Sequence, residues 1–139
     1  MDDVLFSSKS VEWETPQDLF DKLHALYRFT CDVCATHENA KVKGKYYTKE
    51  EDGLSKVWDN DRCWMNPPYG RGIGRWVKKA AESRGLVVML LPARTDTTWF
   101  HEHIYKNPRA KTYFLRGRLK FGGSKNSAPF PSMIVVLGG

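Results

Sequence analysis

Six consecutive apolar residues, Leu86 to Leu91, run between Gly85 and Pro92. A run this short and unbroken has no side left for water. It predicts a strand covered on both faces, the kind that parallel sheets contain. The covering layers are legible around it. Ile73, Trp76, Val77 and Ala80 recur at helical spacing in a predicted helix over about 72–84. Leu19, Phe20, Leu23, Leu26 and Tyr27 do the same in a helix that opens at Thr15-Pro16, with Thr15 as N-cap and Pro16 at the first helical position. Residues 28–34, 45–48, 61–65, 111–115 and 132–137 read as strands, and Asp96 is expected to cap a helix reaching Tyr105. Strands alternate with helices for most of the chain, then two strands close it. That order predicts an α/β domain with helices on both faces of a mostly parallel sheet, the last strand running antiparallel.

The 139 residues suit one domain, set at 13–139 behind an N-terminal arm over 1–12. A net charge of +6 favours a polyanionic partner, and the cations gather in two places: Lys41, Lys43, Lys45 and Lys49, then Arg116, Arg118, Lys120 and Lys125. No apolar run is long enough to span a membrane, and Met1-Asp2-Asp3 lacks the basic and apolar regions of a secretory signal. The odd set Cys31, Cys34 and Cys63 reads as reduced thiols in a cytoplasm. Cys31 and Cys34 lie in an apolar strand-like stretch and read as buried thiols rather than half of a zinc site. His101 and His103 are two apart on a predicted helix and do not share a face, so they read as surface residues and no metal is expected. Gly70-Arg71-Gly72-Ile73-Gly74 lacks the Gly-Lys-Ser/Thr ending of a phosphate loop and reads as a place where backbone passes close to substrate.

The sharpest chemical feature is Asn66-Pro67-Pro68-Tyr69, directly after the predicted strand 61–65. Ligands of open α/β sheets bind beyond the carboxyl ends of the strands, which is where this motif falls. Two prolines have no N–H to donate and hold the chain stiff, so they present carbonyl acceptors. Asn66 adds a side-chain acceptor and Tyr69 a flat ring. Acceptors gripping the N–H bonds of an aromatic amine draw its nitrogen toward tetrahedral geometry and aim its lone pair at an electrophilic methyl group, a catalysis of positioning and fixed dipoles. Asn66 is neutral and is not a general base. A base inside a duplex reaches such a site only when flipped out, and Tyr69 is the side chain expected to stack on it. Taken alone, a Pro-Pro turn merely ends a strand; its setting after a strand and before Tyr69 is what gives it chemistry.

With these residues in place, the sequence resembles the small phage-type, Dam-like DNA N6-adenine methyltransferases from about Trp13 to Val136. The resemblance is carried by Trp13-Glu14-Thr15-Pro16, Asp32-Val33-Cys34-Ala35, Glu38-Asn39-Ala40-Lys41 and Tyr46-Tyr47-Thr48, in that order. It continues through Trp64 to Gly70, Leu91 to Thr97, Gly117-Arg118-Leu119-Lys120-Phe121 and Ala128 to Ser132. It implies a Rossmann-like class I methyltransferase sheet, S-adenosylmethionine as methyl donor, N6 of adenine in DNA as acceptor, and a phage or prophage enzyme working in the host cytoplasm. Trp13, Thr15 and Pro16 match the segment near the methionine end of the cofactor; Asp32 and Ala35 match the loop that holds it, and Asn66 lies beside it. Asn66 through Tyr69 match the catalytic motif, and Phe121 matches a region packing against the flipped base together with Tyr69. The usual glycine-rich turn after the first strand is absent. No segment is large enough for a separate reading domain, so DNA contacts are expected from Lys41, Lys43, Arg71, Arg94, Arg116, Arg118, Lys120 and Lys125, mostly to phosphates, and a homodimer could share the reading. The motif alone equally serves cytosine N4, an RNA base or a protein glutamine amide, and the missing glycine turn admits a non-catalytic DNA-binding module on the same fold.

Overall fold

The computed structural model describes residues 13–138, and the arm expected over residues 1–12 lies outside them. Five strands form one sheet: β1 (Cys31–Asp32), β2 (Arg62–Met65), β3 (Leu86–Pro92), β4 (Ala110–Phe114) and β5 (Ser132–Leu137), in the order β1-β2-β3-β5-β4. β1, β2 and β3 pair in parallel, while β5 is antiparallel to both β3 and β4. Four strands therefore point one way and the last strand alone opposes them, as the element order predicts. The apolar run is the central strand, with Val87 to Leu91 inaccessible to water.

Helix α1 (Gln17–Tyr27) and helix α2 (Ile73–Glu82) flank β2. Trp64 receives Phe20 of α1 edge-on and Phe29 beside it. Alternation along a strand turns Cys63 the other way. Its thiol approaches the Trp58 carbonyl, and the Trp58 indole stacks on Trp76 of α2. The two helices thus cover opposite faces, and α2 buries the four residues its periodicity singles out, Ile73, Trp76, Val77 and Ala80. Burying aliphatic side chains the size of Ile73 and Val77 contributes about 1.5–3 kcal/mol each.

Four local expectations need correction. The stretch 28–34 yields only Cys31–Asp32 as strand, and 45–48 shrinks to a single parallel bridge between Asp32 and Tyr46. The Asp32 backbone meets the Lys45 carbonyl and the Tyr47 N–H, each at 3.0 Å, and the Ala35 N–H adds a bond to the Tyr47 carbonyl at 3.0 Å. Thr15 does not cap α1: Pro16 holds the cap position with no side-chain bond, and Thr15 bonds elsewhere. Thr97, not Asp96, caps the third helix, α3 (Thr98–Phe100), by accepting from the Phe100 N–H. Asp96 instead faces Arg94 at 3.7 Å on the surface. That helix then widens into a π turn over His101–Tyr105, leaving His101 and Glu102 exposed and His103 half-buried. Among the described residues no helix is long and apolar enough to cross a membrane.

Candidate active site

The segments after β1, β2 and β3 leave the sheet at the carboxyl ends of three parallel strands. The register of β5, with Ser132 opposite Pro92 and Met133 opposite Phe114, brings the loop 115–131 to the same end. Asn66, the basic loop and the segment after β1 therefore converge by topology, although up to 100 residues of chain separate their sequence positions from one another. Pro67, Pro68 and the residues after them hold this corner, and Tyr69 is sunk below it.

Asn66 is the pivot. Its Nδ2 donates to the Trp13 carbonyl and, at 2.9 Å, to Thr15 Oγ1. Its Oδ1 is buried and has no partner. A buried acceptor left unpaired costs about 1–3 kcal/mol, so an orphan here marks a place where something else is meant to donate. The indole Nε1 of Trp13 is likewise buried without a partner. Trp13, Thr15, Asp32, Lys41, Asn66 and Pro68 are among the walls of a narrow cleft of about 30 Å³. A larger hollow, lined by Ala35, Tyr47, Arg75 and Trp76 among others, meets it at Cys34 and Pro68.

Asp32 shapes the floor. Its carboxylate accepts from the backbone N–H groups of Cys34 at 3.2 Å and Lys41 at 2.9 Å, so one side chain ties both ends of the loop after β1. Burial raises its pKa to about 6, against the pull of those two N–H groups toward the ionised form. The loop needs no glycine of its own because the close approach comes from the other side. A Cβ on Gly53 would stand 2.1 Å from the Val33 carbonyl oxygen, a contact only glycine escapes. Within the loop, Thr36 and Asn39 bond reciprocally, side chain to backbone, at 2.8 and 3.1 Å. That Thr-x-x-Asn spacing is the signal by which Asn39, a wall of the cleft, could have been found in the sequence. Cys34, Trp64, Tyr47, Arg75 and Trp76 also line the site, and nothing in their sequence spacing marks them.

The remaining expected residues fall in three groups. Trp13, Thr15, Asp32 and Asn66 come together at the smaller cleft; Ala35 lines the larger hollow, and Pro16 sits beside them at the start of α1. Tyr69 and Phe121 are together but covered. Tyr69 is 4% exposed, donates its hydroxyl to the Leu90 carbonyl at 2.9 Å, and packs against Phe121 and Phe130, whose rings also meet Trp13. The ring is not an open platform here, because four aromatic side chains remove one another from water. Burial also drives the Tyr69 phenol well above its ordinary pKa. Of the cations, Lys43, Arg71, Arg94, Arg116, Arg118, Lys120 and Lys125 are exposed. Lys41 stands apart: it is half-buried in the cleft wall and donates to Gln17 Oε1 at 2.8 Å. Cys31 and Cys63 are buried, and burial raises the Cys31 thiol to about 12; Cys34 is only half-buried, at the junction of the two hollows.

Comparison with known proteins places the chain in a family. A family model described as DNA N-6-adenine-methyltransferase (Dam) matches residues 5–137. The DNA N-6-adenine-methyltransferase of Haemophilus phage HP1 (strain HP1c1) is 32% identical over 134 residues, covering 89% of this chain and 76% of that protein. The DNA N-6-adenine-methyltransferase of Escherichia phage T1 is 39% identical over 95 residues, covering 65% of this chain and 39% of the phage protein. With a match that spans nearly all of its length, the chain belongs to the DNA N-6-adenine-methyltransferase (Dam) family.

Proposed function

We propose that this chain methylates N6 of adenine in DNA with S-adenosylmethionine as donor, on a Rossmann-like class I methyltransferase sheet. The observation that carries the reading is the orphaned Asn66 Oδ1, a buried acceptor in a cleft at the carboxyl ends of parallel strands. Bound S-adenosylmethionine would supply a methyl group made electrophilic by its sulfonium. The residues present suit such a ligand. The walls formed by Trp13, Thr15, Asp32 and Asn39 would take its amino-acid end, with the Asp32 carboxylate favouring a cation; the adjoining hollow by Ala35 and Trp76 would take its nucleoside.

The chain's own contribution is to the amine. Asn66 Oδ1 and a backbone carbonyl of the Pro67–Pro68 elbow would accept the N–H bonds of N6, pulling the nitrogen out of conjugation and fixing its lone pair. No side-chain base is needed, since the methylated nitrogen is cationic and gives its proton to water. For a flipped base to stack on Tyr69, the loop 115–131 carrying Phe121 and Phe130 has to draw back. It is held to the N-terminal segment by the Gly122 N–H bond to the Glu14 carbonyl at 2.9 Å and by the contacts of Phe121 and Phe130 with Trp13. The exposed cations of that loop, with Arg71 and Arg94, would hold phosphates beside the opening. The enzyme would act in the cytoplasm of a host cell, and sedimentation with and without DNA tests whether it does so as a homodimer.

The test is incubation of the chain and methyl-labelled S-adenosylmethionine with DNA, RNA or protein in turn, then digestion and mass analysis. Label in N6-methyl-2′-deoxyadenosine is expected. Label only in cytosine, RNA or protein would refute the assignment.

A further inference from the structure

The carboxamide of Asn66 has one end tied and one end free, and the tie decides which end is which. A carboxamide turned end over end exchanges a donor for an acceptor. The Trp13 carbonyl can only accept, so nitrogen must face it, and Oδ1 is left as the unpartnered end of a residue that lines the cleft. Thr15 Oγ1 takes a second bond from the same nitrogen at 2.9 Å, from a residue 3% exposed and 51 positions away in the chain. Both partners lie on one short segment, locked between the start of α1 and the Glu14–Gly122 backbone bond.

We propose that the Trp13–Thr15 segment is the positioning device for the target amine, with Thr15 acting through Asn66. This rests on the methyltransferase reading and deepens it. The segment fixes the carboxamide with its acceptor toward the amine, and so makes position 66 an amide position rather than an acid position. A carboxylate there would set an anionic oxygen against the Trp13 carbonyl. Thr15 could turn its hydroxyl and donate; the carbonyl has nothing to donate. An acid at this position serves only when protonated on the oxygen that faces Trp13, and burial favours that protonated form.

Three variants of the full chain test this: Thr15→Val, Thr15→Ser and Asn66→Asp. Each is assayed for kcat, for KM on DNA, for S-adenosylmethionine affinity by calorimetry, for melting temperature, and for hydrogen exchange of the residue-66 side-chain amide where one is present. Thr15→Val is expected to lower kcat about tenfold, the worth of one lost hydrogen bond. Its cofactor affinity stays within about twofold, and exchange of the Asn66 amide speeds up. Thr15→Ser restores both. Asn66→Asp is inactive above neutrality and gains activity on acidification, the reverse of the wild type. Unchanged kcat and unchanged amide exchange in Thr15→Val overturn the proposal. So does a loss confined to cofactor affinity, or an Asn66→Asp profile parallel to that of the wild type. Should Thr15→Val fail to fold, Thr15→Ser and the Asn66→Asp profile still decide. Wild-type turnover is measured in the same assay: its absence refutes the methyltransferase reading, whereas its presence with an indifferent Thr15→Val refutes the positioning role alone.

Discussion

On one side of β3 the sheet pairs over six residues with β5, and on the other over four with β2, which in turn holds β1 by two. The β5 side is apolar: Ser132 to Leu137 are all buried and five of the six are apolar, with Ser132 Oγ the unpaired polar atom among them. The β1 side is thin and polar: a buried carboxylate, an unpaired amide oxygen, and loops tied by side chains instead of ladders. The two halves divide labour. One supplies free energy of folding, and the other spends some of it to keep acceptors and a carboxylate out of water with room left for ligands.

Substitutions on the two sides should therefore separate. Asn66→Ala is expected to lower kcat by about 100- to 1000-fold, the usual loss for one preorganised hydrogen-bonding group in an active site, while the melting temperature moves little. A variant that keeps turnover would show that the thin side holds no chemistry. Leu137→Ala, in the fully buried β5, should do the opposite. Chemical denaturation should report about 2–5 kcal/mol lost, with kcat and KM unchanged at temperatures where the variant stays folded. A kinetic defect there would break the division.

The third prediction concerns pH. Asp32 has a raised pKa of about 6, so it is ionised above that pH and neutral below it. A cationic ligand gains from the ionised form only. Affinity for S-adenosylmethionine should be level above neutrality and fall below pH 6 by up to about tenfold per unit, and Asp32→Asn should flatten the profile. Calorimetry across that range checks it, and a level wild-type profile would mean that no positive group of the ligand approaches Asp32. The smallest expected effect is on the rim. Arg118→Ala and Lys120→Ala should each weaken DNA binding uniformly across sequences and reduce the slope of affinity against salt by about one, measured by fluorescence anisotropy.

What could be read in the sequence follows the same division. β3, β5 and α2 are legible because packing on a core repeats with the period of the element: Leu86–Leu91, Ser132–Leu137, and Ile73, Trp76, Val77 and Ala80 all fall where a strand or helix needs them. The motif Asn66 to Tyr69 was legible from proline chemistry and its place after a strand. The role of Thr15 was not. Thr-Pro before a helix reads locally as a cap, and only the tertiary fold brings Asn66 within 2.9 Å of its hydroxyl. The burial of Tyr69 was hidden for the same reason, because Trp13, Phe121 and Phe130 arrive from distant segments. Lys41 shares its charge with Lys43 and differs from it in direction alone, and a charge pattern carries no direction.

The most direct measurement is to express the chain in a bacterial strain free of adenine methylation and to map modified bases across the genome, beside an Asn66→Ala control. The account predicts N6-methyladenine at one recurring sequence with the intact chain and none with the control. Unmodified adenine throughout, in cells that hold the folded protein, would contradict it.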